Sequence, residues 1–163
     1  MDKQALIEQL AARLRDSAGV ARKAGQLAAE EARDGASPAE KSQDARVALE
    51  YAGLARGQTQ RANRLVADLA TLESFRPPAA LAAGALVGLG AIVEVEDETR
   101  GRTFFLAPVG AGVELTGPGG DGFLSVVTPG SPIGRAVMGR RVGDTLEVSV
   151  DGEPREWTIT FVQ

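Results

Sequence analysis

Apolar residues recur at spacings of three and four through Ile7, Leu10, Leu14, Ser17, Ala21, Ala24 and Ala28. That is the pattern of a helix with one buried seam. A second run carries Val47, Tyr51, Leu54 and Ala62, then Leu65, Leu69 and Leu72. The large aliphatic residues of the two runs, Ile7, Leu10 and Leu14 against Leu65, Leu69 and Leu72, pair if the helices run antiparallel. Beyond Leu14 the seam is alanine and serine, which bury less surface per layer. Tyr51 reads there as a packing anchor across a thin stretch. Between the runs lies Arg33-Asp34-Gly35-Ala36-Ser37-Pro38-Ala39-Glu40. Gly35 suits a helix end. Ser37, Pro38 and Glu40 suit a capped helix start. Two helices joined this way form an antiparallel hairpin, with the turn at its tip.

Phe75-Arg76-Pro77-Pro78 stops the second helix, and the pattern then changes. Ala91 to Glu96 alternates apolar and charged residues, as a half-buried strand does. Thr103–Leu106, Gly112–Leu115, Phe123–Val127, Thr145–Val150 and Trp157–Val162 read as further strands. Asp151-Gly152 is a hairpin turn. Gly117 to Gly122 is glycine-rich but lacks the Lys-Ser/Thr and following helix of a phosphate loop. Ser131, Pro132 and Gly139 cap, open and close a short helix. The expected class is α+β: a coiled-coil hairpin over residues 1–76, a linker over 77–84, and a small antiparallel sheet with one short helix over 85–163.

Composition narrows the chemistry. The chain of 163 residues has no cysteine and no histidine. That excludes disulfides, thiol chemistry and the usual zinc ligands. Met1 to Arg76 holds 12 basic and 11 acidic residues, and the remainder 6 and 11. Neither part is basic enough for a free nucleic-acid binder. The N-terminus carries no signal-peptide pattern, and the Pro77–Val95 stretch is too broken to span a membrane. A cytoplasmic protein is expected, and the intramolecular hairpin points to a monomer.

Ser131-Pro132-Ile133-Gly134-Arg135-Ala136-Val137-Met138-Gly139-Arg140-Arg141-Val142-Gly143-Asp144 and the following Thr-Leu-Glu-Val resemble the C-terminal signature of the bacterial Gre transcript-cleavage factors, GreA and GreB. Glu31-Ala32-Arg33 and Glu50-Tyr51 echo that family's hairpin. The resemblance implies an FKBP-like C-terminal domain that docks at the rim of the secondary channel of bacterial RNA polymerase, with Ser131, Pro132, Ile133 and Arg135 in the docking loop. Ile133→Asp is then expected to weaken docking with the fold intact. It implies a hairpin tip that reaches the polymerase active centre within the DNA-containing elongation complex and meets the nascent RNA 3′ end only indirectly. Acidic tip residues there hold a Mg²⁺ shared with the polymerase, which hydrolyses backtracked RNA. Mg²⁺ takes oxygen ligands, so carboxylates suit the task. The chain itself would then need no cofactor and would not be an enzyme alone.

The tip departs from the family. Registering on Glu50-Tyr51 puts Asp44 at the family's aspartate and Val47 at its glutamate. Glu40 and Asp44, at i, i+4 spacing, are the alternative carboxylate pair, and Glu40 also reads as a cap. Arg46, Arg56, Arg61 and Arg64 line the second helix, as solvated charge or as contacts to RNA phosphates or polymerase acids. Three functions follow: a factor that stimulates RNA cleavage, a non-cleaving secondary-channel regulator, and, from the FKBP-like fold alone, a prolyl isomerase or chaperone.

Overall fold

A computed structural model of the chain describes residues 2–34, 43–78, 81, 82, 84–117, 120, 122–150 and 152–163. It divides into two compact units, Ala12–Ala70 and Met1–Ala11 with Thr71–Gln163. The α+β class expected from the pattern holds: two long helices, then a six-stranded sheet with one short helix.

Helix α1 spans Lys3–Asp34 and α2 spans Gln43–Ser74, each of 32 residues. Asp2 opens α1, its carboxylate accepting from the backbone N–H groups of Gln4 (3.0 Å) and Ala5 (3.3 Å), which satisfies donors that lack an intrahelical partner. Within Ala12–Ala70 the two helices form the antiparallel hairpin. On α1 the buried positions are Leu14, Ala18, Ala21, Gly25 and Ala28, at spacings of 4, 3, 4 and 3. The expected Ser17 and Ala24 are only half-buried. On α2 the inward positions are Ala48, Ala52, Ala55 and the buried Ala62.

The outer part of the α2 seam is therefore shifted by one residue from the one expected, while Ala62 and Leu72 are buried as expected. Val47, Tyr51 and Leu54 are exposed, Tyr51 the least of the three at 37%. The reason is steric. A Cβ built on Gly25 would stand 3.4 Å from the Gln58 Cβ and 3.4 Å from the Thr59 Oγ1, so the helices are too close for large side chains between them. Alanine fits there, and the larger residues are displaced to the flank. Near α2's end Leu72 is buried, while Leu65 and Leu69 are half-buried.

In the other unit the strands are β1 Ile92–Glu96, β2 Gly101–Leu106, β3 Glu114–Thr116, β4 Phe123–Val127, β5 Thr145–Val150 and β6 Glu153–Val162. Helix α3, Pro132–Val137, lies between β4 and β5 in sequence. The strand order is β3-β4-β2-β1-β6-β5. All pairs are antiparallel except β2 with β4, which is parallel and corrects the expectation of an all-antiparallel sheet. A parallel neighbour needs a crossover, and the chain makes it through β3 at the edge. β1 begins at Ile92, and the segment before it is held instead by Val87, which exchanges backbone hydrogen bonds with Arg140 O (2.7 Å) and Gly139 N (2.9 Å).

Both faces of the sheet are buried. Val93, Val95, Phe104, Leu106, Trp157 and Ile159 pack with Val137 of α3. Trp157 and Phe104 are each worth about 1.5–3 kcal/mol on burial. Ile92 and Phe105 are register partners on the opposite face and are fully buried as well. The first turns of α1 belong to this unit and bring Leu6 and Leu10, both fully buried. Leu10 fixes the loop after β2: Gly110 has φ +87, and a Cβ there would lie 2.7 Å from Leu10 Cδ1. Lys3 Nζ donates to the Pro78 carbonyl at 2.9 Å, and burial lowers its pKa. Gln9 completes the join. Its amide nitrogen donates to Thr116 O at 3.1 Å and its amide oxygen accepts from Thr116 N at 3.0 Å. One side-chain amide thus pairs with the edge strand β3 as a further strand would.

Two expectations follow. Gln9→Ala leaves both Thr116 groups without these bonds and costs about 1–3 kcal/mol; urea unfolding followed by the fluorescence of the single tryptophan, Trp157, measures it. Ala21→Leu overpacks the seam and costs about 1–3 kcal/mol, while Tyr51→Ala changes hairpin stability by less than about 0.5 kcal/mol; helical circular dichroism on heating separates the two.

Candidate functional site

The candidate docking loop is built by its own hydrogen bonds. Ser131 is the N-cap of α3: its Oγ accepts from Gly134 N at 3.0 Å and donates to Thr128 O at 2.8 Å. Pro132 takes the first helical position, where a missing N–H costs nothing, and is exposed. Gly134 is obligatory for a different reason: a Cβ would fall 1.8 Å from the Thr128 carbonyl oxygen. Arg135 is exposed, and its guanidinium donates to the Gly130 carbonyl, bracing the loop from outside. Ile133 is half-buried and packs against the core cluster around Trp157 and Val137.

This placement corrects the expectation that Ile133→Asp leaves the fold intact. A carboxylate at that position would enter the edge of the core, and burying an unpaired charge is costly.

Ser131, Pro132 and Ile133 come together on a hollow of about 310 Å³. Its other walls are Phe104 and Arg102 of β2, Glu114 of β3, Ser125 of β4 and Ser149 of β5. Arg135 does not line it. The strand residues were not foreseen as site residues, since nothing local marks them and only the sheet order brings them to the loop. The hollow offers hydroxyls and a charge of each sign over the buried ring of Phe104. A second hollow, of about 320 Å³, sits at the β1–β2 turn beside Asp97 and Arg155. Asp97 is engaged within its own turn, accepting from Thr99 N (2.7 Å) and Arg100 N (2.7 Å) and from Arg155 (3.3 Å). The bond from Thr99 N is the largest cause that holds its carboxyl at about 2.

At the hairpin tip, Glu40 lies outside the described residues. Asp44 falls in the first turn of α2, but its side chain lies outside them too. Among the described residues, no group of three or more acidic side chains that could hold a metal ion is present. Val47, at the family's expected glutamate, is on α2 and 45% exposed. Arg46 pairs with Glu50 at 3.4 Å along the exposed helix surface. No helix of the described residues is long and apolar enough to cross a membrane.

Residues 83–163 match the family model described as "Transcription elongation factor, GreA/GreB, C-term". The "Transcription inhibitor protein Gfh1" of Thermus thermophilus, from each of two strains, is 28% identical to the chain over 116 residues, covering 68% of the chain and 69% of the relative. The crystal structure of Thermus aquaticus Gfh1 aligns over 95% of the chain and 92% of its own length, at 23% identity and a TM-score of 0.40.

Gly134→Ala is expected to lower the stability of the sheet unit by more than about 3 kcal/mol, because its Cβ meets backbone, while Ser131→Ala costs about 1 kcal/mol as an ordinary lost cap. Thermal unfolding read at Trp157 distinguishes them.

Proposed function

Since this chain is a Gre-family protein, with a GreA/GreB C-terminal domain over residues 83–163, we propose that it binds bacterial RNA polymerase at the secondary channel and regulates it without stimulating RNA cleavage. The observation that carries this reading is Val47. It stands on α2 where the family's glutamate is expected, exposed and apolar, and a hydrocarbon cannot ligate Mg²⁺. That the curated relatives bear the name transcription inhibitor supports the same direction.

In this mechanism the C-terminal domain anchors and the hairpin occupies. The α3 loop presents Pro132 at the surface, with the Phe104 hollow beside it. The loop is rigid before contact because Ser131, Gly134 and Arg135 fix its backbone, so little ordering entropy is lost on docking. The hairpin then hinders nucleotide entry or the movements of the active centre by its bulk. The chain contributes no chemistry of its own and uses no cofactor. Mg²⁺ enters only as the polymerase's own ion.

Cleavage stimulation through Glu40 and Asp44 is the second reading, and the same assay decides it. The prolyl isomerase reading finds little support: Phe104, which lines the loop hollow, is buried, as are Phe105 and Trp157.

The test is a stalled, backtracked bacterial elongation complex, given wild type, Pro132→Ala and the Glu40→Ala/Asp44→Ala double variant. The expected result is slowed nucleotide addition, no acceleration of RNA cleavage, and weaker binding by Pro132→Ala. Acceleration by wild type that the double variant lacks would establish the cleavage reading instead.

A further inference from the structure

Seven large apolar residues are exposed on the described part of the hairpin, and five of them share a placement that Leu49 and Val66 do not. Val20 (70% exposed), Leu27 (55%), Val47 (45%), Tyr51 and Leu54 (51%) each immediately precede a seam alanine: Ala21, Ala28, Ala48, Ala52 and Ala55. One residue is a turn of about 100° round the helix axis. In an antiparallel pair, the residue before a seam position points to the same side of the pair on both helices. All five therefore share one side, and Gly25 beside Gln58 sets Leu27 roughly level with Leu54. The residues that follow seam positions point to the other side, and two of them, Arg22 and Asn63, line a common hollow there. Toward the base of the hairpin the apolar side carries Arg61, before Ala62, Arg13, before Leu14, and Arg64 and Asp68, before the half-buried Leu65 and Leu69.

A two-helix hairpin needs only its narrow seam. Apolar residues on the seam plus one flank form the wider stripe of helices that pack against further helices. The stripe spans on the order of 400 Å² per copy, well short of the roughly 800 Å² per partner of a standard stable interface. That is too little to hold a dimer alone. It is enough for a second attachment on a partner already held by another part of the same chain, where the local concentration is high.

We propose that this side of the hairpin docks on an aliphatic helix face of the polymerase that carries carboxylates toward the end facing Arg61 and Arg13. The proposal rests on the polymerase-binding reading above.

The experiment measures binding of the full chain to bacterial RNA polymerase core enzyme by competition, for wild type, Leu27→Gln/Leu54→Gln and Leu49→Gln. Leu49 is 70% exposed, follows Ala48 and points to the other side, so it is the control. All three positions are solvent-facing, and circular dichroism checks that helix content is unchanged. The expected result is about tenfold weaker binding by the double variant and no change for Leu49→Gln. Equal affinity of all three chains overturns the proposal. Self-association of wild type in sedimentation, lost in the double variant while polymerase affinity holds, overturns it in favour of a second copy as occupant. Absence of binding by wild type itself overturns the polymerase reading, and the proposal with it.

Discussion

The hairpin depends on alanine packing against alanine at close range. The α1 seam is Ala18, Ala21, Gly25 and Ala28, the α2 seam Ala48, Ala52, Ala55 and Ala62, and Gly25 lies directly against the Gln58 and Thr59 side chains, so the helices stand close. Close approach recovers dispersion contacts that small side chains would otherwise forfeit. It also forces Val20, Leu27, Val47 and Leu54 out of the seam. The apolar flank is thus a geometric by-product of the seam.

The second unit rests on a different device. Its sheet has two edges, β3 and β5. The β3 edge is closed at Thr116 by the side-chain amide of Gln9 rather than by another strand. An open edge is a template for unwanted pairing, and one residue from the opposite end of the chain covers part of it. The same first turns of α1 bring Leu6 and Leu10 to this unit. The candidate docking loop on α3 sits in a sheet whose two faces are both covered, and its hydrogen bonds leave it little freedom to rearrange.

Much of this was legible in the sequence. The α+β class, the two helices, most of the strands and the capped α3 helix follow from periodicity, prolines and capping residues. The Ser131 to Asp144 run pointed to the family. The register of the outer part of α2 was not legible, because Val47, Tyr51 and Leu54 form a better apolar heptad than Ala48, Ala52 and Ala55. Hydrophobicity alone favours the larger residues, and only the interhelical distance reverses the choice. Arg102, Ser125 and Ser149 carried no local mark, since they meet the α3 loop through strand order. Gln9 looked like any polar helix residue, because its partner lies 107 positions away.

That separation bears on how the chain is made. Residues are synthesised from the N-terminus, and segments fold as they emerge. The Ala12–Ala70 hairpin needs only nearby partners and can form early. The first turns of α1 leave the ribosome before it, yet Gln9 has nothing to bind until Thr116 has been added and β3 is paired. A segment made before the hairpin is therefore among the last to find its place. Until then Leu6, Ile7 and Leu10 have no sheet to pack against.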